Sequence, residues 1–308
     1  MVAKPEAASQ SYIPLKPPFG YYGAKQRIAA HLTKTLPPHN AWVEAFCGSA
    51  ALTLAKPPAP IEVINDIDDQ IVNLFEQLRT NQEALCRAIA LTPYARAEYQ
   101  KAREHENDIS AFERARRFLI ATMMTVNGAN GGKNAGFSFS QSYSRGGHEA
   151  RVNRWNKLPD RLELVAQRLK NARIENRDAR EIIAMFADRP ATLIYLDPPY
   201  NLDRKQRYAV DIVDENFHSE LLTLCCGSKC MIFISGYDND LYNETLTSDG
   251  GWAKKYISTT TRDTTGRDYP RTEVVWFNRH FTEALRGDQS PVELTPKEAK
   301  LNKVNPRR

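Results

Sequence analysis

The short run Thr192-Leu193-Ile194-Tyr195-Leu196 ends abruptly in Asp197-Pro198-Pro199-Tyr200, and this junction constrains the fold more than any other stretch of the chain. The run lacks polar alternation and carries β-branched and aromatic residues, the pattern of a parallel strand buried on both faces. Parallel strands are joined by crossovers that are usually helical, so an open α/β sheet is implied. Two consecutive prolines then end the strand, because neither has an N–H for the ladder and each holds φ at about −65°. A rigid turn results, bearing one carboxylate and one aromatic ring. Ligands of open α/β sheets bind beyond the carboxyl ends of the strands. Asp197, the Pro198 carbonyl and Tyr200 therefore read as a receptor for a planar, amino-bearing base. The competing reading is an ordinary turn with a solvated aspartate; strand end, double proline and aromatic ring together favour the site.

The 308 residues suffice for one large or two medium domains, and a composition of 42% hydrophobic and 26% charged residues is that of a soluble globular protein. No apolar stretch approaches the roughly 20 residues of a membrane span. The polar segment Met1 to Ser11 lacks a signal-peptide core, so a cytoplasmic protein is expected. Cys47, Cys86, Cys225, Cys226 and Cys230 have neither a disulfide-framework spacing nor a second pair of ligands for zinc, so no metal site is expected. The net charge of +5 is modest. Its distribution is more telling, because Arg and Lys concentrate between Lys101 and Arg173, including Arg114, Arg116, Arg117, Lys133, Arg145, Arg151, Arg154, Lys157 and Arg161. A solvated helix face accounts for part of that cluster and a polyanion for the rest.

Strand–helix alternation opens the chain: a strand at Ala41 to Phe46, a helix through Leu54, a strand at Ile61 to Ile64, and a helix from about Asp68 to Thr80. The alternation then stops. Asn81 stands where a helix cap would, and helical spacing in Phe112, Ala115, Leu119 and Met123 continues to about Met124. A Gly-, Asn- and Ser-rich loop covers Asn127 to Gly147, and another helix covers Pro159 to Leu169. Alternation resumes at Arg173 to Asn176, with later strands at Met231 to Ser235, Tyr256 to Thr260 and Glu273 to Asn278. The expected domains are a catalytic α/β domain over 12–80 and 172–282 and a helical insert over 81–171. The segments 1–11 and 287–308 are expected to be disordered.

Val43-Glu44-Ala45-Phe46-Cys47-Gly48-Ser49-Ala50 reads as a strand, a tight glycine turn and a small-residue helix start, which lets backbone approach a ligand. It is neither a dinucleotide fingerprint nor a Walker loop. Asp66, at the next strand end, stands where nucleotide-binding folds hold a ribose; an N-cap role for Asp66 or Asp68 is the alternative. Asp178, just past the Arg173 to Asn176 strand, lies at a further strand end, where a ligand contact and a helix cap are both open.

These residues carry a resemblance. Phe19-Gly20-Tyr21-Tyr22-Gly23-Ala24-Lys25 resembles the N-terminal cofactor motif of Dam-type DNA adenine-N6 methyltransferases. Val43 to Leu52 is similar to their glycine turn, Asn65-Asp66-Ile67-Asp68 to their ribose motif, Asp197 to Tyr200 to their catalytic motif, and Arg271 to Asn278 to their closing strand. The order matches too, with the recognition insert between cofactor and catalytic motifs. Two positions depart: Ala24 replaces a glycine, and Ala45 replaces a proline, which relaxes the backbone there.

The resemblance implies a seven-stranded Rossmann-like domain that uses S-adenosyl-L-methionine, with the insert as target-recognition module. It places Tyr21, Lys25, Glu44, Phe46, Gly48, Asp66, Asp178 and Asp197 around the cofactor, and Asp197, Pro198 and Tyr200 at the reacting amine. Double-stranded DNA is the implied partner, entering with its target base flipped, and a companion restriction endonuclease is compatible with the family. Within the loop, Asn127, Asn130, Lys133, Asn134 and Arg145 are candidates for base readout, since Asn suits adenine and Arg or Lys suits guanine. The same catalytic turn accommodates cytosine N4 or an RNA adenine, and an inactive nucleic-acid-binding homologue is a third possibility.

Overall fold

The computed structural model describes residues 12–20, 25–104, 106, 108–126, 136–140, 149–199, 215–262 and 268–288. Expectations for 1–11, for the tail beyond 288 and for most of 127–147 lie outside them. In chain order the elements begin α1 (Gln26–Leu32), β1 (Ala41–Glu44), α2 (Ala51–Ala55), β2 (Ile61–Asn65) and α3 (Asp69–Thr80). Five helices follow: α4 (Gln82–Leu91), α5 (Arg96–Ala102), α6 (Ala111–Met123), α7 (Ala150–Asn156) and α8 (Leu158–Leu169). Alternation resumes with β3 (Arg173–Glu175), α9 (Ala179–Phe186), β4 (Thr192–Leu196), α10 (Glu215–Gly227), β5 (Met231–Gly236) and α11 (Asp240–Thr245). A hairpin of β6 (Ala253–Arg262) and β7 (Asp268–Phe277) and the helix α12 (Arg279–Gly287) complete the described chain.

The strands form one sheet in the order β3-β2-β1-β4-β5-β7-β6. Its first five strands are parallel, while β7 runs antiparallel to both β5 and β6. This is a Rossmann-like methyltransferase architecture. Because β1 leads outward to β2 and β3 while β4 leads the other way to β5, the order reverses between β1 and β4. Their carboxyl ends frame the switch-point crevice in which such sheets bind ligands.

Alternate strand residues feed two cores, as a doubly covered sheet requires. Val43, Ile194, Leu196, Ile232, Ile234 and Trp276 pack beneath helices α9, α10 and α11. Trp42, Leu193, Tyr195, Phe233 and Val275 pack beneath α1, α2 and α12. Every residue of β4 is buried, as its uninterrupted pattern predicts. On the second face Trp42 stacks on Tyr195, with ring centroids 6.4 Å apart, and Tyr195 meets Phe233 at 4.7 Å.

The helices between β2 and β3 share one core with α3, joining Ile64, Leu74 and Phe75 to Leu85, Leu119, Trp155 and Leu162. Ser110 caps α6 through the Glu113 N–H. Asn81 does not cap α4 with its side chain; its amide bonds the Gln77 side chain at 2.8 Å instead. Helix α7 was not apparent from the sequence, because its seven residues offer one buried anchor, Trp155, whose indole N–H donates to the Thr92 carbonyl at 2.8 Å.

At the amino ends of the strands lies a closed ionic cluster. Glu62 of β2 pairs with Lys56 at 3.0 Å and with Arg168 of α8, and all three side chains are at most 5% exposed. Further donors go to the Pro57 carbonyl from Lys56 Nζ at 2.7 Å, to the Thr53 carbonyl from Arg168 Nη2 at 2.9 Å, and to the Tyr12 hydroxyl from Arg168 Nε at 3.2 Å. Burial raises the Glu62 carboxyl, but hydrogen bonds from Arg168 and the Lys56 charge more than offset it and leave its pKa below the ordinary carboxylate value.

Candidate active site

The turn after β1 is shaped by its backbone. Gly48 has φ of +48° and Ala50 φ of +55°, so two residues close together adopt the left-handed region, glycine freely and alanine under strain. The Ala50 N–H donates to the Cys47 carbonyl at 2.7 Å, closing the turn, and Ala50 then caps α2. Ala45, where the resembling family carries proline, donates its N–H to the Tyr195 carbonyl at 3.2 Å. A proline lacks that donor, so the departure extends the β1–β4 pairing to the rim of the crevice.

Three acidic residues at or near strand ends take different roles. Asp66 accepts the Gly48 N–H at 2.7 Å and the Asp68 N–H at 3.0 Å, which ties the end of β2 to the glycine turn. Burial outweighs these bonds and raises its pKa to about 6. Asp68, by contrast, caps α3 through the Gln70 N–H at 2.9 Å. Asp178 caps α9 and forms two further bonds to the Arg180 guanidinium, at 3.0 and 2.6 Å; Arg180 holds its carboxyl below the ordinary value. Asn65 stitches three strand ends together, donating to the carbonyls of Ala45 at 2.9 Å and Arg177 at 3.0 Å and accepting the Arg177 N–H at 2.9 Å.

Glu44, the last residue of β1, is buried and held by α2. It accepts the Thr53 N–H at 2.9 Å and the Thr53 hydroxyl, while that hydroxyl accepts the Trp42 indole N–H at 2.7 Å. Burial pushes its pKa up to about 7 despite these bonds. The Phe46 ring packs edge-on against Phe217 with centroids 6.3 Å apart. Cys47 is a buried thiol pushed well above its usual range by burial and by the nearby Asp66 and Glu44 carboxylates, so it remains protonated and is no nucleophile.

Asp197 occupies the position just beyond β4. Its Oδ1 lies 3.1 Å from Lys25 Nζ and accepts the Ser235 hydroxyl at 3.1 Å, and that hydroxyl lies 2.7 Å from the Tyr195 hydroxyl. With Ser235 donating to the carboxylate, Tyr195 donates to Ser235. Lys25 also pairs with Glu273 of β7 at 3.2 Å. Lys25 is 4% exposed, whereas the carboxylate side chains remain 17% and 14% exposed. Burial opposes the Lys25 charge, but Asp197, Tyr195 and Glu273 outweigh it and hold its pKa above the ordinary value. Four separated segments thus fix one carboxylate at the switch point. Behind the turn, His218 of α10 lies 2.9 Å from the Tyr242 hydroxyl through Nδ1, and burial lowers its pKa against the pull of the Pro199 carbonyl.

Of the sequence-derived candidates, the structure brings Lys25 and Asp197 into contact, joins Gly48 to Asp66, and directs Glu44 and Asp178 into local supporting bonds. Tyr21, Tyr200, Asn127, Asn130, Lys133, Asn134 and Arg145 lie outside the described residues. Flanking the loop, Thr125 pairs antiparallel with Phe137, the Val126 N–H donates to the Gly136 carbonyl at 3.1 Å, and the Tyr94 hydroxyl donates to the Ser138 carbonyl at 2.5 Å. Ser235, Glu273 and Tyr195 were not assigned a site role from sequence. The available signal for Glu273 was a carboxylate leading into the apolar strand Val274-Val275-Trp276.

The D12 class N6 adenine-specific DNA methyltransferase family model matches residues 21–259. The chain belongs to this family. Among characterised proteins, the type II methyltransferase M1.LlaDCHI of Lactococcus lactis subsp. cremoris is 26% identical over 198 residues, covering 61% of this chain and 66% of that protein. A solved precorrin 8W decarboxylase from Methanobacterium thermoautotrophicum aligns over 82% of this chain and 87% of its own at 10% identity, with a TM-score of 0.32, too low to bear on the fold. Among the described residues no helix is long and apolar enough to cross a membrane.

Proposed function

We propose that this D12-family chain transfers a methyl group from S-adenosyl-L-methionine to the N6 amine of a specific adenine in double-stranded DNA. The supporting observation is Asp197, held by Lys25 and Ser235 at the switch point of the sheet. The residues around the crevice suit the cofactor. The left-handed Gly48 turn leaves close approach to backbone, Asp66 presents a carboxylate at the end of β2, and the buried Ser49 hydroxyl has no partner among the described residues. Lys25, Gly48, Asp66 and Asp197 would border the cofactor; Tyr21 and Phe46 are assigned there by the motif. When bound, the cofactor supplies an electrophilic methyl group.

The exocyclic amine of adenine is a poor nucleophile because its lone pair is delocalised into the ring. Asp197 and the Pro198 carbonyl accept its two hydrogens, which draws the nitrogen toward tetrahedral geometry and aims the lone pair. Positioning and fixed electrostatics carry this chemistry, and no covalent enzyme nucleophile is required. In this reading Asp197 also accepts the proton that the amine releases. A duplex conceals this amine, so the base is flipped at a cost of a few kcal/mol, offset by stacking on Tyr200. Residues 81–171 serve as the target-recognition module, with Asn127, Asn130, Lys133, Asn134 and Arg145 reading bases. The type II name of the Lactococcus lactis relative supports a restriction–modification setting, with a companion endonuclease as partner. Incubation of duplex DNA and RNA with labelled cofactor, followed by nucleoside identification, tests the reading. N6-methyladenine in DNA is expected; product confined to cytosine or to RNA overturns it.

A further inference from the structure

The arginines of α6 are ion-paired. Arg114 pairs with Asp69, Arg116 with Glu98 and Glu113, and Arg117 with Glu106 and Glu113. Arg151 and Arg154 of α7 and Arg161 of α8 are different: among the described residues no carboxylate lies within ion-pair distance of any of them. They are nevertheless half-buried. Burial lowers the pKa of Arg154, helped by repulsion from Arg151, and burial lowers that of Arg161, helped by repulsion from Arg154. Three like charges held together and partly removed from water destabilise one another unless an anion joins them.

Their placement says where such an anion would sit. Arg154 Nη2 lies 3.3 Å from where a Cβ on Gly20 would stand, so the guanidinium packs closely over that glycine. Arg161 Nη1 reaches the Pro17 carbonyl at 3.5 Å, a long contact that leaves its other donors available. On the other side, Arg151 and Arg154 act electrostatically on Tyr94, whose hydroxyl holds the Ser138 carbonyl at the base of the 127–135 segment. The three arginines therefore lie between Tyr94 and the Pro17–Gly20 stretch.

We infer that Arg151, Arg154 and Arg161 form a phosphodiester clamp that grips the DNA backbone between the base-reading segment and the catalytic turn. Guanidinium forks match phosphate oxygens bidentately. Such contacts set the register of the duplex without reading its sequence. The inference rests on the proposed DNA-methylating function, and it extends that function to residues outside the catalytic turn.

Duplex affinity measured against salt concentration tests the clamp with R151Q, R154Q, R161Q and the charge-preserving R154K, with R114Q as an ion-paired control. Each Gln variant is expected to weaken binding about tenfold or more, equally on target and unrelated sequences, and to lower the log–log salt slope by about one. R154K should keep the slope while losing affinity, and R114Q should match wild type. Cofactor affinity without DNA separates the alternative anion, the carboxylate of S-adenosyl-L-methionine. Unchanged cofactor binding is expected, and its collapse with an intact salt slope overturns the clamp. Wild-type slopes in R151Q and R161Q, which do not touch Gly20, overturn it as well, whatever R154Q does to folding. If wild-type protein methylates DNA while the variants keep its slope, only the clamp fails; if wild-type protein neither binds nor methylates DNA, the functional reading fails with it.

Discussion

Two buried ionic clusters sit at opposite ends of the same sheet, and they are built differently. At the amino ends, Glu62, Lys56 and Arg168 are at most 5% exposed, and their spare donors terminate on backbone carbonyls and the Tyr12 hydroxyl. At the carboxyl ends, Lys25 is equally buried, but the carboxylates it holds, Asp197 and Glu273, remain partly open to the crevice. The stacked Trp42 and Tyr195 rings connect the two, with Lys56 Nζ 5.0 Å from the Trp42 ring and the Tyr195 hydroxyl beside Ser235. A closed cluster fastens the helices to the sheet; an open one presents a positioned acceptor. Burial of charge alone therefore does not identify a site. Which cluster leaves a carboxylate facing space does.

The comparison predicts a division between loss of turnover and loss of stability. The largest effect is expected at Asp197: Asp197→Ala should lower kcat by about a thousandfold or more, equivalent to roughly 4 kcal/mol, while duplex affinity stays near wild type and the loss of stability stays smaller than at Glu62, because Glu273 still pairs with Lys25. Turnover at the wild-type level in that variant would remove the catalytic assignment. Glu62→Gln is the mirror experiment. Breaking a buried ion pair from one side costs about 3–5 kcal/mol, so chemical denaturation should register the loss while kcat per folded molecule is retained. Equal loss of kcat and stability at both ends would dissolve the distinction.

A smaller effect, of order a few kcal/mol, belongs to Glu44 and depends on pH. Its folded pKa of about 7 lies above its ordinary value of 4.5, so its contribution to stability is complete below that value and is lost as pH rises through 7. Denaturation curves at pH 5 and pH 8 should show a smaller decline for Glu44→Gln than for wild type. The smallest change concerns the strained turn. Ala50→Gly relieves a left-handed alanine and should raise stability by up to about 1 kcal/mol, with the cofactor affinity unchanged.

Much of this architecture was readable in the sequence for a physical reason. The strand Thr192–Leu196 is buried on both faces, so every position is constrained and the pattern is unmistakable. The double proline then fixes where it ends. The closing hairpin was read as two shorter strands, because the outer strand β6 carries exposed residues such as Lys254 and Tyr256 that blur its boundaries. The site was legible in its motifs but not in its wiring. Lys25 and Asp197 stand far apart in the chain, and nothing local announces that Ser235 and Glu273 meet them. Acidic residues at strand ends were the ambiguous class: Asp66 braces the glycine turn and Asp178 caps a helix, uses that one carboxylate at one spacing does not distinguish. The unmatched arginines were visible as charge, but only the structure separates them from their paired neighbours.

The most direct test of the account is the identity of the methylated nucleoside made by wild-type protein and by Asp197→Ala on duplex DNA with labelled S-adenosyl-L-methionine. The account predicts N6-methyladenine with wild type and none with the variant, at equal DNA occupancy. Label on cytosine alone, or undiminished N6-methyladenine from Asp197→Ala, would contradict it.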